Sequence, residues 1–344
     1  MIHTIGIVSL SSGILGEASV RHERDIGLRR LREAGLTVRF LPHALAGTEA
    51  LRAHPEWRAE DLLRAFRDPE LDMILCAIGG DDTYRLLPYL FDRDALREAL
   101  RPVVFLGFSD STVNHLMLHK LGLPTFYGQA FLPDLCELGP EMLPYSRSYF
   151  AELVATGTIR EIRPSPVWYG ERQSFDPSQV GVALPPRADR GFELLQGPPR
   201  FAGKILGGCL DSLYDLFDGT RWADMPELCR KYGLFPEAGD WEDRILLLET
   251  SEEKMPPETF RRALELLRAR GVFDAVSGVL VGKPMDEAWW PEYRRILPEV
   301  IARPELPILC NLNVGHALPR CIVPFGLEAE VDAEEQVIHF PQRG

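Results

Sequence analysis

Residues 102–114 read PVVFLGFSDSTVN and join the pattern of a buried strand to that of a helix. The apolar run ends at Gly107, and apolar residues at helical spacing follow from Val113. Ser109 lies in the turn between them, as the nucleophile does in the G-x-S-x-G elbow of hydrolases. The match is partial because Ser111 stands at the last glycine, and the same run of hydroxyl and carboxyl side chains fits a helix N-cap. The stretch alone therefore leaves both interpretations open.

The sequence on either side of this stretch alternates between strand and helix patterns. Short apolar runs predict strands at residues 2–10, 37–41, 73–78 and 103–106. Helical spacing predicts helices at residues 19–34, 59–67 and 83–90, and one more that runs to about residue 121. Strands separated by helices of this length form a parallel sheet with helices on both faces.

Two polar motifs follow strands of this predicted sheet. The motif Gly79-Gly80-Asp81-Asp82 follows the strand at 73–78, and Ser109 follows the strand at 103–106. Sheets of this kind bind their ligands beyond the carboxyl ends of the strands. We therefore expect both motifs at one edge of the sheet, and this convergence carries more weight than either motif alone.

Composition and charge exclude several classes of protein. The 344 residues suffice for two domains, and 45% hydrophobic and 26% charged residues are typical of globular proteins. A net charge of −13 argues against nucleic acid or an anionic membrane as a partner. No apolar run has the length of a membrane span, and the N-terminus lacks a cationic leader, so we expect a cytoplasmic protein.

The cysteines and histidines show no pattern of a metal site. The six cysteines are scattered without a C-x-x-C motif, and none of the eight histidines lies in an H-E-x-x-H motif. His115 and His119 are four residues apart but lack companion ligands nearby. We expect reduced thiols and no metal.

The alternating pattern breaks between about residues 160 and 200, a length at which loops are usually functional or disordered. Beyond it, strands are expected at 203–206, 244–249, 277–282 and 308–312, and helices at 210–217, 257–270 and 292–301. We predict three parts, namely an N-terminal domain over 1–162 with the nucleophile, a crossing linker or active-site loop over 163–200, and a C-terminal domain over 201–344.

An activated serine needs a base within hydrogen-bond reach and a group that orients the base. His316 follows a predicted strand in a turn with Gly315, and Glu249 closes the strand at 244–249. Taken singly, His316 also fits an ordinary turn residue, and Glu249 a solvated strand end. A triad of these residues with Ser109 would have to be assembled across both domains.

Five blocks of sequence give the chain a resemblance to a known family. The blocks are GGDDTYRLLP at 79–88, GFSDST at 107–112, TFYG at 125–128, RILLLE at 244–249 with GVFD at 271–274 and GVLVGK at 278–283, and GH at 315–316 with VPFG at 323–326. Through them the chain resembles the LD-carboxypeptidase family of serine peptidases, and specifically its branch similar to the microcin C self-immunity protein. The blocks cover essentially the whole chain.

The resemblance implies a Ser-Glu-His triad, which falls on Ser109, Glu249 and His316. Ser109 would attack an amide carbonyl, His316 would carry the proton to the leaving amine, and Glu249 would hold the imidazole. Backbone N–H groups of Gly80 and Asp110 would form the oxyanion hole. No metal or cofactor is expected.

The resemblance also implies the placement of the site in a cleft between two domains, and a homodimer. The predicted fold is α/β, with an N-terminal flavodoxin-like parallel-sheet domain and a smaller C-terminal mixed α/β domain with a barrel-like sheet. The chain departs from the family at Cys209, where Asn is usual, and at Thr250, where Asp often follows the catalytic Glu. Both departures bear on specificity.

Three residues are predicted to contact the substrate. Lys254 is a candidate for binding a substrate carboxylate and equally fits a solvated lysine. Trp168 is a candidate for stacking on a nucleobase, as in the immunity branch, and equally fits a packing residue. Asp81 is the third. The predicted reaction cleaves a C-terminal amide of a small peptide or peptide–nucleotide conjugate, either a microcin C-type toxin or a murein tetrapeptide.

Three other functions are compatible with parts of the sequence. The stretch 79–83 resembles the G-G-D-G-T loop of NAD kinases and phosphofructokinase-like enzymes, which predicts ATP-dependent phosphoryl transfer, although Asp82 would set a charge beside phosphate. An α/β-hydrolase shares the order Ser–acid–His, but fewer strands than usual precede Ser109 and an H-G-G-G loop is absent. A non-catalytic ligand-binding module would need neither Ser109 nor His316 to react.

Overall fold

The computed structural model describes residues 1–341. Within them the strands form a six-stranded sheet, an eight-stranded sheet and a separate antiparallel pair. The two large sheets share one continuous apolar core. No helix in the described part of the chain combines the length and apolar composition needed to cross a bilayer.

The N-terminal part alternates strands and helices, as the apolar pattern predicts. Its strands are β1 (Thr4–Val8), β2 (Thr37–Phe40), β3 (Met73–Cys76), β4 (Val104–Gly107) and β5 (Thr125–Tyr127). Its helices are α1 (Arg21–Glu33), α2 (Thr48–Ala53), α3 (Pro55–Arg67), α4 (Leu87–Phe91), α5 (Ala95–Ala99), α6 (Ser111–Lys120) and α7 (Pro144–Thr156).

The first five strands pair in parallel in the order β2-β1-β3-β4-β5, which is the flavodoxin-like order. One helix differs from its prediction, because a 3-10 turn (Thr83–Leu86) precedes α4 in place of a continuous helix over 83–90. The backbone N–H of Thr83 donates to the Asp110 carboxylate, and the Thr83 hydroxyl bonds to Asn114. Hydrogen bonds to residues distant in the sequence therefore fix this segment.

Four short strands occupy the region where the pattern breaks. They are β6 (Glu161–Ile162), β7 (Val167–Tyr169), β8 (Pro186–Ala188) and β9 (Glu193–Gln196). β7 and β8 form the separate antiparallel pair, and β9 becomes an edge strand of the eight-stranded sheet. Within 163–200, strand pairing therefore holds residues 167–169, 186–188 and 193–196, whereas residues 170–185 form no strand.

The C-terminal part contains the remaining elements. Its strands are β10 (Arg200–Cys209), β11 (Arg244–Glu249), β12 (Gly278–Gly282), β13 (Ile308–Leu312), β14 (Val323–Phe325), β15 (Glu328–Asp332) and β16 (Val337–His339). Its helices are α8 (Leu210–Asp218), α9 (Met225–Lys231), α10 (Pro257–Ala269), α11 (Val272–Ala275) and α12 (Trp290–Ile301).

The second sheet has the order β6-β16-β15-β10-β11-β12-β13-β9 and mixes parallel with antiparallel pairs. It forms the curled, half-barrel sheet of a mixed α/β fold, so the predicted fold class is confirmed. β14 leaves this part of the chain and pairs antiparallel with β5, so that it completes the first sheet. This crossing joins the two sheets beside the carboxyl end of β5.

Candidate active site

Ser109 occupies a sharp turn between a strand and a helix. β4 ends at Gly107, α6 begins at Ser111, and Ser109 itself has a φ of 65°. A positive φ is uncommon for a residue with a side chain, and such strain concentrates at functional sites. The geometry is that of an elbow, which presents the Ser109 hydroxyl at the carboxyl edge of the sheet.

The structure brings Ser109, His316 and Glu249 together. Ser109 Oγ lies 3.0 Å from His316 Nε2, and His316 Nδ1 lies 2.8 Å from Glu249 Oε2. The backbone N–H of His316 also donates to Glu249 Oε2, at 3.1 Å. Glu249 and His316 are both buried. This is the order of contacts that nucleophile, base and orienting acid require.

Tyr127, at the end of β5, connects the serine with the acid. Its hydroxyl donates to Glu249 Oε1 at 2.6 Å and accepts from the backbone N–H of Ser109 at 3.2 Å. Its ring stacks on Phe325 of β14, with centroids 5.1 Å apart. Tyr127 therefore fixes the second oxygen of Glu249, which His316 does not use.

The turn that carries His316 requires a glycine beside it. A Cβ at Gly315 would lie 2.2 Å from Glu249 Oε2, and the residue has a φ of 82°. Both the space and the backbone conformation thus exclude a side chain. Gly315 allows Glu249 to reach the backbone N–H and the ring of His316 together.

Polar contacts with residues 163–200 support the same turn. Asn313 accepts from the backbone N–H of Ser165 at 2.8 Å and donates to Asp189 at 3.2 Å. The buried ammonium of Lys283 lies 3.6 Å from the same Asp189 carboxylate. The residues between 163 and 200 thus hold the strand end from which His316 projects.

The two amides predicted as oxyanion donors lie beside Ser109. Gly79 approaches the serine so closely that a Cβ on it would lie 2.7 Å from Ser109 Oγ. In residues 1–341, neither the Gly80 amide nor the Asp110 amide donates a hydrogen bond. Free N–H groups next to a nucleophile are suited to stabilising an oxyanion.

The Asp110 side chain holds these loops in place. Its Oδ2 accepts from the Ser11 hydroxyl at 2.6 Å and from the Thr83 backbone N–H at 3.0 Å. Burial raises the pKa of Asp110 to about 6. The carboxyl group thus connects the loops after β1, β3 and β4, while the backbone amide of the same residue is not used in these contacts.

A cavity of about 290 Å³ opens next to Ser109. Seven carboxylate side chains and two guanidinium groups line it, namely Asp81, Asp82, Asp110, Asp211, Asp215, Glu252, Glu253, Arg52 and Arg221. Several of these are paired with each other, including Arg221 with Asp215 and Glu253. The cavity is the space in which a substrate would reach the Ser109 hydroxyl.

The predicted substrate contacts lie in different places. Asp81 lines the cavity and lies 3.7 Å from Arg52. Trp168 is buried in β7, and Lys254 holds Asp286 at 2.9 Å and Glu171 at 3.1 Å; neither lines the cavity. The structure thus brings Asp81 to Ser109 and does not bring Trp168 or Lys254 to the cavity wall.

Glu252 contacts the imidazole and was absent from the sequence predictions. Its Oε2 lies 3.0 Å from His316 Nε2. Burial lowers the pKa of His316, but the carboxylates of Glu249 and Glu252 outweigh it and raise that pKa to about 10. The hydrogen bond with His316 lowers the pKa of Glu252 to about 2. The pair Glu252-Glu253 after β11 was the available signal, and only the fold shows which of the two carboxylates reaches the base.

Cys209 lies within the site, at the end of β10. Its Sγ, a Glu249 oxygen and a His316 nitrogen lie within 4.8 Å of one another, a spacing at which three such atoms can hold a metal ion. Burial raises the pKa of the Cys209 thiol well above its ordinary value. Both ring nitrogens of His316 already have partners, Nδ1 in Glu249 and Nε2 in Ser109 and Glu252, and a metal ion would have to displace one of them.

Comparison with known proteins agrees with this geometry. The family model of the LD-carboxypeptidase N-terminal domain matches residues 5–128, and that of the C-terminal domain matches residues 202–331. The murein tetrapeptide carboxypeptidase of Pseudomonas aeruginosa is 36% identical over 309 residues, which are 89% of this chain and 87% of that protein. The microcin C7 self-immunity protein of Escherichia coli is 26% identical over 293 residues, 83% and 78% of the two chains.

Solved structures show the same similarity. The crystal structure of an MccF-like protein from Streptococcus pneumoniae in complex with AMP has a TM-score of 0.98 and 60% identity, and the match covers 99% of each chain. These matches give no support to phosphoryl transfer or to a non-catalytic module. The chain therefore belongs to the LD-carboxypeptidase family and is a serine peptidase.

Proposed function

We propose that this peptidase cleaves the C-terminal amide of a small peptide–nucleotide conjugate, with Ser109 as its nucleophile. One observation carries the proposal. The Ser109 hydroxyl lies 3.0 Å from the Nε2 of an imidazole whose Nδ1 is held by Glu249, and this contact adjoins the free amides of Gly80 and Asp110. Nucleophile, base, acid and oxyanion donors thus lie around one point.

In the acylation step, Ser109 Oγ attacks the substrate carbonyl carbon while its proton passes to His316 Nε2. The carbonyl oxygen becomes an oxyanion that accepts from the Gly80 and Asp110 amides, each worth about 3–4 kcal/mol in such sites. The carbon–nitrogen bond then breaks, and His316 gives its proton to the leaving amine. Glu249 holds the imidazole and stabilises its charged form.

In the deacylation step, water attacks the ester formed on Ser109. His316 takes the proton of the water, and the ester bond to Oγ breaks when that proton returns to the serine. The products are a carboxylic acid and the free hydroxyl. None of these steps uses a metal ion or a nucleotide cofactor.

A nucleotide conjugate is the substrate class that the comparisons favour. The MccF-like relative that is 60% identical was crystallised in complex with AMP. The relative that is 36% identical is a murein tetrapeptide carboxypeptidase, so murein tetrapeptide recycling is the second candidate function. Hydrolysis of aspartyl sulfamoyl adenosine and of a murein tetrapeptide, measured side by side, separates the two.

The test of the nucleophile is Ser109→Ala. We expect its turnover to fall at least about 1,000-fold, while substrate binding measured by calorimetry is retained. Ser111→Ala removes a neighbouring hydroxyl from α6 and is the matched control, with turnover expected near that of the wild type. Activity that persists in EDTA without ATP would separate hydrolysis from phosphoryl transfer. Full turnover by the Ser109 variant would refute the proposal.

The remaining sequence predictions belong to the same proposal. Lys254 and Trp168 stay predicted contacts for a substrate carboxylate and a nucleobase, and single Ala variants test them through KM. We also propose that the protein is a cytoplasmic homodimer. Analytical ultracentrifugation measures its oligomeric state in solution. A monomer at assay concentrations would contradict the dimer.

A further inference from the structure

The Nε2 atom of His316 has two neighbours with opposite requirements. Ser109 Oγ and Glu252 Oε2 each lie 3.0 Å from it. A carboxylate bonds to this nitrogen only when the nitrogen carries a proton, because the lone pair of neutral imidazole would repel it. A serine hydroxyl can give its proton to this nitrogen only when the nitrogen is free. The Glu252 contact therefore belongs to the protonated state of His316, and proton transfer from Ser109 belongs to the unprotonated one.

The groups around His316 favour the protonated state. Those that face it from the surrounding elements are Glu249 of β11, Cys209 of β10, Asp211 of α8, Glu252 of the loop after β11 and Arg320 of its own turn. Arg320 donates to the His316 carbonyl oxygen, whereas carboxylates contact both ring nitrogens. The pKa of His316 accordingly rises to about 10.

The Glu252 side chain can leave without a change in the backbone. Its neighbours are fixed, because Ser251 bonds to Asp211 through its N–H and its hydroxyl at 2.9 Å, and Glu253 holds Arg221 at 2.7 Å. The Glu252 side chain is 57% exposed and lines the cavity. A substrate that fills the cavity meets this side chain next to the nucleophile.

We propose that Glu252 is a positioning residue that holds His316 in its protonated, resting form and is displaced when substrate enters. On displacement the N–H bond at Nε2 breaks, the proton passes to water, and the nitrogen keeps the electron pair. Nε2 then accepts the hydrogen bond of Ser109 and can act as the base. This inference rests on the proposed function, because it takes Ser109 and His316 as nucleophile and base.

The pH profile of Glu252→Gln tests this role. The acidic limb of kcat/KM reports the base in the free enzyme, and glutamine removes the charge that holds the imidazole proton. We expect the limb to move to lower pH by at least about one unit, which raises kcat/KM about tenfold below the limb. Glu258→Gln, an exposed carboxylate at the start of α10, is the control, and its limb should stay in place.

A second measurement avoids dependence on turnover. Nitrogen-15 NMR of labelled histidine in Ser109→Ala follows the His316 ring directly. We expect its titration midpoint to lie well above 7 and to fall when Glu252→Gln is added. Equal midpoints, or an unmoved limb in the active enzyme, would overturn the role of Glu252 and leave the proposed function intact. Hydrolysis retained by Ser109→Ala would instead refute the proposed function.

Discussion

Tyr127→Phe isolates the contribution of one hydroxyl to the site. In the wild type this hydroxyl donates to Glu249 Oε1 at 2.6 Å and accepts from the Ser109 N–H at 3.2 Å. Phenylalanine keeps the ring, and with it the stack on Phe325. The variant therefore removes hydrogen bonds while packing is conserved.

The size of the effect follows from the buried charge. A hydrogen bond to a charged group contributes about 1.5–3 kcal/mol to stability. A buried carboxylate that loses its donor cannot replace this hydrogen bond with one to water, so the stabilisation is lost. We expect the free energy of unfolding to fall by about this amount. Because Glu249 loses its second anchor and His316 its fixed orientation, kcat/KM should fall about 10- to 100-fold, as about 1.4 kcal/mol corresponds to a tenfold change.

The assay measures kcat/KM and denaturant unfolding on the same preparations. Tyr145→Phe is the matched control, because its hydroxyl donates to the neutral carbonyl of Arg163 at 2.6 Å, away from the triad. This control should lose about 0.5–1.5 kcal/mol of stability and keep its kcat/KM. If Tyr127→Phe kept wild-type activity and stability, the bridge between Ser109 and Glu249 would have no energetic role.

Two further predictions concern the turn of the base. Gly315→Ala should lower kcat at least about tenfold, because a Cβ there would lie 2.2 Å from Glu249. The control is Gly157→Ala, at a residue with a φ of 75° and open space around it. This control should lose only the backbone cost of about 1–2 kcal/mol in the free energy of unfolding. Equal losses of kcat in both variants would refute the steric argument. The raised pKa of His316 predicts stability that is fully present below pH 6.5 and lost as pH rises through about 10. The free energy of unfolding, measured with denaturant, should therefore decline between pH 6 and 10, and it should decline less in His316→Gln. If the wild type and the variant gave parallel curves of this free energy against pH, the predicted contribution of His316 would be contradicted.

Much of the fold could be predicted because local patterns encode it. Short apolar runs alternate with helical spacing, and the parallel pairing of β1–β5 follows from that alternation. The elbow was also local, since Ser109 lies between a strand and a helix in the sequence itself. The carboxyl edge of the sheet then brought Gly79 and Gly80 to the same place.

Contacts made across the fold could not be predicted in this way. β14 looks like any short apolar strand, and nothing in its periodicity shows that it pairs with β5 of the other sheet. Tyr127 was part of a recognised block, yet its bond to Glu249 joins residues 122 positions apart. Glu252 is followed directly by Glu253, and neither charge nor spacing distinguishes which of the two reaches His316.

The pairing of β14 with the first sheet explains how the site is held together. His316 lies between β13, which belongs to the second sheet, and β14, which belongs to the first. Val323 of β14 pairs with Tyr127 of β5, and Tyr127 in turn bonds to Glu249 of β11. The segment with the base is thus anchored in both sheets, and the acid is bonded to a residue of the sheet that carries Ser109. Because these anchors close a loop around the triad, the 3.0 Å contact between Ser109 and His316 depends on the pairing of the two parts and not on either part alone.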